Sequence, residues 1–449
     1  MRLKMFLLLL VVVILSTLSL DAQPGLATSS TLSSRGPWLV FNIGGRISAV
    51  NADGTGLVSF DTPALLTHSD LAHGVSPTGK WLAFRSGDPE TSANVTLNLL
   101  RLPDGKVRAI TRLLTPAIEQ AAAEDRSEPA IAVSMPDALA WSPDGQYLAF
   151  VATIDGTSSD LYLYDIGHDK VTRLTDGRNE AASLTWSPDS KWIVHLEVEH
   201  FGTGAGWAVK AAWAAPAGGG RARRLYTTTS GGEIWLGWTA PDTFGVYSFD
   251  EVSPGKARLV NLRTGRSRTH YAGTFAEAAL APDSALAFIA TSYDQRLSEG
   301  MYLVSAPGKK PARVADGQWN RVVWAEQTGR FIASGPQGIL SFSADEETTQ
   351  IDEMPWFAVS PDGARLVAWG NSEYDARPGA RIYTTGGRLV REITRDSVDV
   401  AVWRPDSPGL FYVSNGALYY SDLSSRRPRL VSRNVNAGMD GGIAWVNGR

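Results

Sequence analysis

The 449-residue chain contains no cysteine. Disulfide bonds, thiolate metal sites, a cysteine nucleophile and lipidation at cysteine are therefore all excluded. A fold of this size without disulfides must be stabilised by its hydrophobic core, even in a compartment where disulfides would form.

The chain also lacks a large excess of charge of either sign. The formal net charge is −4 at pH 7, and the lysines and arginines form no basic stripe. Proteins that bind nucleic acid concentrate positive charge on one face, so we expect no nucleic-acid partner. With 43% hydrophobic and 20% charged residues, the composition is that of a globular protein.

Signatures of catalysis are missing as well. The serine-hydrolase elbow G-x-S-x-G does not occur, and the six histidines show no H-E-x-x-H spacing. His195 and His200 flank a predicted strand end, where we interpret them as a polar strand edge and a loop residue. We therefore predict no catalytic residue, no metal ligand and no cofactor.

The N-terminus has an apolar run that is too short for a typical membrane span. Arg2 and Lys4 precede the run from Phe6 to Leu15, and Ala22 precedes a polar segment. This order predicts a signal peptide over residues 1–22, a flexible linker over 23–36, and a secreted or periplasmic protein. The alternative is an uncleaved anchor at residues 5–20, the one case in which we expect a membrane partner.

One short unit recurs along the chain: an apolar strand, a Pro-Asp-Gly-like turn and a second apolar strand. Asp-Gly supplies the positive φ angles of tight hairpins, and further apolar strands follow each hairpin. The gaps from Trp141 onward are 35 to 52 residues, which is typical of four-stranded propeller blades. The copies start at Trp141, Trp186 and Val359, with weaker ones at Val75, Trp238, Leu280, Trp324 and Trp403.

The repeat predicts an all-β fold: a closed β-propeller of four-stranded antiparallel blades, forming a single domain over residues 37–449. Residues 38–60 hold three strands, and the segment 442–446 is a lone candidate strand. We expect this C-terminal strand to pair with the N-terminal blade, because closure removes exposed sheet edges. The count leaves eight or nine blades open, and we expect a helical insertion at about 116–130.

Two residue types recur with the unit, and we interpret both as structural. The tryptophans that open the hairpins occupy one position in the repeat, as packing between blades requires. The aspartates of the Pro-Asp-Gly turns accept hydrogen bonds from their own turn backbone.

The W-S-P-D-G hairpins, and the Asn51-Ala-Asp-Gly turn after Arg46-Ile-Ser-Ala-Val50, resemble the repeats of TolB-like propellers. They are also similar to propeller repeats of the dipeptidyl-peptidase IV and prolyl oligopeptidase families. The resemblance spans nearly all the mature chain and implies the fold, whereas one fold hosts many activities.

Long loops predict a binding face. They join the second and third strands of several blades, and five start near a carboxylate. We expect a monomeric scaffold that binds a protein, peptide or polysaccharide of the cell envelope through a cationic or polyhydroxylated group. The alternative is a hydrolase or lyase with its site in the central channel. The candidate residues are Asp88, Asp155, Asp250, Tyr293, Asp294, Tyr374 and Asp375.

Overall fold

A computed structural model describes twelve stretches of the chain. The stretches are residues 31–88, 94–123, 128–200, 207–228, 231–249, 254–292, 296–345, 347–372, 377–406, 409–425, 427–436 and 442–448. The predicted signal peptide and the start of the predicted linker lie outside the described residues.

The described residues form nine antiparallel sheets in a propeller ring, which confirms the all-β prediction and decides between eight and nine blades. The strands of blades 1 to 3 are β1 Trp38–Ile43, β2 Arg46–Asn51, β3 Val58–Ser59, β4 Trp81–Ser86, β5 Thr96–Arg101, β6 Val107–Arg112, β7 Leu139–Trp141, β8 Tyr147–Ala152, β9 Asp160–Asp165 and β10 Lys170–Arg173.

The strands of blades 4 to 6 are β11 Glu180–Trp186, β12 Trp192–His200, β13 Trp207–Pro216, β14 Arg223–Thr227, β15 Gly232–Ala240, β16 Thr243–Phe249, β17 Lys256–Asn261, β18 Ser267–Ala272, β19 Phe275–Leu280, β20 Leu286–Ala290, β21 Gly300–Val304 and β22 Ala312–Asp316.

The strands of blades 7 to 9 are β23 Arg321–Ala325, β24 Arg330–Gly335, β25 Gly338–Phe342, β26 Thr349–Asp352, β27 Trp356–Val359, β28 Arg365–Gly370, β29 Gly379–Thr384, β30 Leu389–Thr394, β31 Val400–Trp403, β32 Leu410–Ser414, β33 Ala417–Ser421 and β34 Arg429–Arg433. The chain then returns to blade 1 with β35 Val435–Asn436 and β36 Ile443–Val446.

Blades 3 to 9 each contain four consecutive strands, whereas blades 1 and 2 differ. Blade 2 has three strands, and an isolated bridge between Val75 and Leu82 occupies the place of its inner strand. In blade 1, β36 pairs antiparallel with β1, so that Val446 lies opposite Trp38 and Ile443 opposite Phe41. The prediction that the C-terminal strand completes the first blade is confirmed.

The aspartates of the Pro-Asp-Gly turns stabilise the hairpins, as predicted. The Oδ1 atom of Asp144 accepts hydrogen bonds from the Ser142 hydroxyl at 2.6 Å and the Gln146 backbone N–H at 3.0 Å. Asp362 makes the same pair of bonds in blade 8. The glycine after it, Gly363, has a φ of +68°, a conformation that side chains with a Cβ rarely adopt.

The recurring tryptophans join neighbouring blades, as predicted. Three of their indole N–H groups donate to a backbone carbonyl of the preceding blade: Trp141 to Gly74 (2.7 Å), Trp186 to Ala140 (3.0 Å) and Trp403 to Ala358 (2.9 Å). The hydrophobic core correspondingly lies between the blades, where both faces of each sheet are covered.

Helices occur mainly beside blade 2. A short helix, α1 Ser69–His73, precedes β4, and α2 Pro116–Ala123 and α3 Glu128–Ser134 fill the insertion between blades 2 and 3, followed by a 3-10 turn at Pro136–Ala138. None of the helices in the described stretches is long and apolar enough to cross a membrane.

Candidate functional site

The seven residues proposed from the loops are only partly covered by the structure. Asp250, Tyr293, Asp294, Tyr374 and Asp375 lie outside the described residues. Asp88 and Asp155 are exposed on the loops that follow β4 and β8. Asp155 accepts a hydrogen bond from the Tyr162 hydroxyl, and its Oδ1 atom lies 3.4 Å from Nη1 of Arg173.

Arg173 lines a cavity of about 430 Å³ between blades 3 and 4. Blade 3 contributes the ends of β9 and β10, the link from β10 to β11 crosses the cavity, and blade 4 contributes one face of β12 and β13. The lining side chains used below are Asp160, Arg173, Asn179, His195, Glu197 and Trp213.

Strand alternation explains why blade 4 presents polar groups here. Ile193 of β12 packs into the apolar cluster shared with blade 3. Because every second side chain of a strand points the same way, His195 and Glu197 face blade 3 as well. Trp213 is the cross-strand partner of His195 on β13 and shares that face.

The blade 3 side of the cavity is a network around a buried carboxylate. Nη2 of Arg173 donates to Oδ2 of Asp160 at 2.5 Å and to Oδ1 of Asp176 at 2.8 Å. The other Asp160 oxygen accepts from the Thr175 hydroxyl at 2.8 Å and the Gly177 N–H at 3.2 Å. Burial alone would lower the pKa of Arg173, but the bond to Asp160 and its charge outweigh burial and raise that pKa.

Glu197 is held in place on the opposite side. The side-chain N–H of Asn179 donates to its Oε1 atom and the indole N–H of Trp213 to its Oε2 atom, both at 2.7 Å. These two donors fix the plane of the carboxylate. A carboxylate accepts about four hydrogen bonds, so each oxygen keeps capacity for another donor.

His195 is the unusual group of the cavity. Its side chain is only 3% exposed, yet neither ring nitrogen has a hydrogen-bond partner among the described residues. Burial lowers the pKa of His195 to about 4, so the imidazole is neutral at neutral pH and offers one donor and one acceptor. The interpretation of His195 as a polar strand edge is wrong, because it lies within β12 and is enclosed by both blades.

The next interface, between blades 4 and 5, shows a satisfied buried carboxylate for comparison. Glu233 accepts from the Tyr226 hydroxyl at 2.6 Å, the Ser248 hydroxyl at 2.7 Å and Nη2 of Arg258 at 2.8 Å. Burial raises the pKa of Glu233 despite these partners. Glu233 therefore has protein donors, whereas neither ring nitrogen of His195 has a partner in the described stretches.

The cavity therefore combines an ion-pair network, an oriented carboxylate and a neutral histidine, a set suited to hydrogen bonding with a ligand. Within the described stretches, no three histidine, aspartate or glutamate side chains come together to hold a metal ion. This site was not predicted from the sequence. The alternation of β12 could have revealed that His195 and Glu197 share a face with Ile193, since each is two residues from the next.

Comparisons with known proteins concern the fold. No protein-family model matches the sequence, and no curated protein gives a significant match. A crystal structure of a eukaryotic initiation factor aligns with a TM-score of 0.60 and 13% identity, over 92% of this chain and 99% of that one.

Two bacterial structures come from the dipeptidyl-peptidase IV and TolB families, which the repeats were predicted to resemble. Dipeptidyl peptidase 4 of Porphyromonas gingivalis aligns with a TM-score of 0.52 and 11% identity, over 87% of this chain and 65% of that one. TolB of Acinetobacter baumannii aligns with a TM-score of 0.34 and 14% identity, over 83% and 84%. The predicted resemblance to such propellers is confirmed for the fold by the dipeptidyl peptidase, while the TolB score is too low to add to it.

Proposed function

We propose that this chain is an exported binding scaffold whose propeller holds a protein, a peptide or an envelope polysaccharide at the cleft between blades 3 and 4. The observation that carries the proposal is the cavity there, whose wall includes the buried imidazole of His195, which has no hydrogen-bond partner among the described residues. An unsatisfied buried polar group costs about 1–3 kcal/mol, and a bound partner would recover that cost.

The size and stiffness of the cleft favour binding. Its volume of about 430 Å³ lies within the range of ligand pockets, about 300–1,000 Å³. Asp160 and Glu197 lie on strands, and protein donors hold both carboxylates. Groups held in this way lose little conformational entropy when a ligand binds.

The cleft is also continuous with the loop face predicted to bind. Asp155, one of the predicted loop acids, contacts Arg173, which in turn binds Asp160 inside the cleft. A partner that covers the loop after β8 could therefore place one group in the cavity.

Mass spectrometry of the mature N-terminus tests the proposed export. Cleavage near Ala22 supports it, and an intact Met1 in the membrane fraction contradicts it.

Affinity capture from an envelope fraction tests the binding function. Glu197→Gln removes one negative charge from the cleft, and Glu199→Gln is the matched control. Glu199 lies two residues further along the same face, is exposed and pairs with Lys210 at 2.7 Å outside the cavity. We expect wild type and the control to recover the same partner and Glu197→Gln to recover at least tenfold less. Equal recovery by all three proteins would overturn the proposal.

A further inference from the structure

We infer that the cleft between blades 3 and 4 binds a neutral polyhydroxylated ligand, such as a sugar unit of an envelope glycan, and that His195 and Glu197 contact its hydroxyl groups. This inference rests on the proposed binding function and names the ligand class of the same site. Three features of the described residues carry it.

The first feature is the hydrogen-bonding character of His195. A neutral imidazole has one N–H and one lone pair, and neither is used by the described protein. A hydroxyl group both donates and accepts, so hydroxyls of one ligand can satisfy both nitrogens. An ammonium group only donates and a carboxylate only accepts, and each would leave one imidazole nitrogen buried without a partner.

The second feature is the orientation of Glu197. Asn179 and Trp213 each occupy one lone pair of its carboxylate and hold its plane. The remaining lone pairs can accept hydrogen bonds from hydroxyl groups, and such bonds to a charged acceptor are stronger than neutral ones. His195 and Glu197 are two residues apart on one strand face, so adjacent hydroxyls of one ligand can reach both.

The third feature is the charge balance of the lining. Arg173 binds both Asp160 and Asp176, and these three side chains together keep a net charge of −1. Glu180 accepts the backbone N–H of Ser159. The remaining lining charges, Glu180, Glu197 and Arg221, also sum to −1, which brings the lining to −2. This charge disfavours an anionic ligand, and the one donor and one acceptor of His195 disfavour a group that only donates, such as an ammonium.

Isothermal titration of the mature protein tests this inference. The probes are neutral gluco-, manno- and galacto-oligosaccharides, oligogalacturonate as an anionic sugar, and tri-lysine as a cation. We expect at least one neutral oligosaccharide to bind, and tri-lysine not to bind in the cleft. His195→Phe keeps the ring shape but removes both nitrogens, and we expect it to weaken sugar binding at least tenfold while the protein stays folded.

The matched control is His270→Phe. His270 is also buried, but its Nε2 atom bonds the Ser284 carbonyl and it does not line the cavity. This variant should bind sugar as wild type does. Equal binding by wild type and His195→Phe, or binding of tri-lysine alone, would overturn the inference. If no sugar binds while Glu197→Gln still abolishes partner capture, the inference fails and the proposed binding function stands.

Discussion

Arg85 and Asp70 form an ion pair that is almost completely removed from solvent, with side chains 1% and 0% exposed. Nη2 of Arg85 donates to Oδ1 of Asp70 at 2.6 Å, and its backbone N–H donates to Oδ2 at 2.7 Å. Nη1 of Arg85 also donates to the carbonyl of Met135 at 2.9 Å, just after α3. The pair thus connects blade 2, α1 and the helical insertion.

Removing one partner of this pair should be strongly destabilising. We expect Asp70→Asn to lower the free energy of unfolding by about 3–5 kcal/mol, because it leaves the Arg85 guanidinium buried without its counter-charge. Urea unfolding followed by tryptophan fluorescence measures the change. Asp104→Asn is the control, since Asp104 pairs with Arg101 at the surface, where such pairs contribute little. Similar effects of the two substitutions would contradict this account.

The stability of the propeller should depend on the protonation of His195. Its pKa is about 4 in the folded state and 6.5 in the unfolded state, so between these pH values the unfolded chain binds more protons. The contribution of the neutral imidazole to the free energy of unfolding is fully present above pH 6.5. It is lost as pH falls to about 4, a change of roughly 3 kcal/mol.

His195→Phe removes this pH dependence together with the unpaired polar atoms. We expect the variant to be more stable than wild type at pH 7, by about 1–3 kcal/mol, and the difference to grow toward pH 4. Urea midpoints at several pH values measure this. A difference that shrinks as pH falls would show that His195 is not buried in the neutral form.

The hairpin of blade 8 should tolerate no side chain at its glycine. A Cβ on Gly363 would lie 2.4 Å from the Gln327 carbonyl oxygen, and the φ of +68° adds conformational strain. Gly329 has a φ of +64° but nothing within 4 Å of a Cβ, which makes it the matched control. We expect Gly329→Ala to cost about 1–2 kcal/mol from conformation alone and Gly363→Ala to cost clearly more. Equal urea midpoints would refute the contribution of the contact.

Closure of the ring should control stability. Val446 is fully buried opposite Trp38, so Val446→Asp should disrupt the pairing of β36 with β1. We expect its melting temperature to fall by roughly 10 °C or more, and truncation after Arg433 to have a larger effect. Asn447→Asp introduces the same charge at an exposed neighbour and should melt like wild type. A truncated protein with the wild-type melting temperature would disprove closure.

Much of the fold could be predicted because its signals are local. The Pro-Asp-Gly turns, the strands beside them and the recurring tryptophans each lie within a few residues, and the ring follows from repeating them. Closure could be predicted from counting, since residues 38–60 lack one strand. The isolated bridge at Val75 could not be predicted, because blade 2 has a single pair of residues where the other blades have an inner strand.

The cleft could not be predicted in the same way. Its walls come from two blades, and its volume depends on how closely β10 packs against β12. A sequence pattern places His195 and Glu197 on one face but does not show whether the opposing blade fills the space. At the next interface a similar acid, Glu233, is fully enclosed by Tyr226, Ser248 and Arg258. Packing between the blades therefore decides whether an interface contains a cavity or is filled by side chains.

The pairing of β36 with β1 has a consequence for synthesis. Among the described strands, β1 is made first and β36 last, so the inner edge of blade 1 stays unpaired until the other strands have been made. During that time β1 exposes unpaired backbone groups that can pair with other nascent chains. The order of translation thus leaves the first blade without its inner strand for longer than any other described blade.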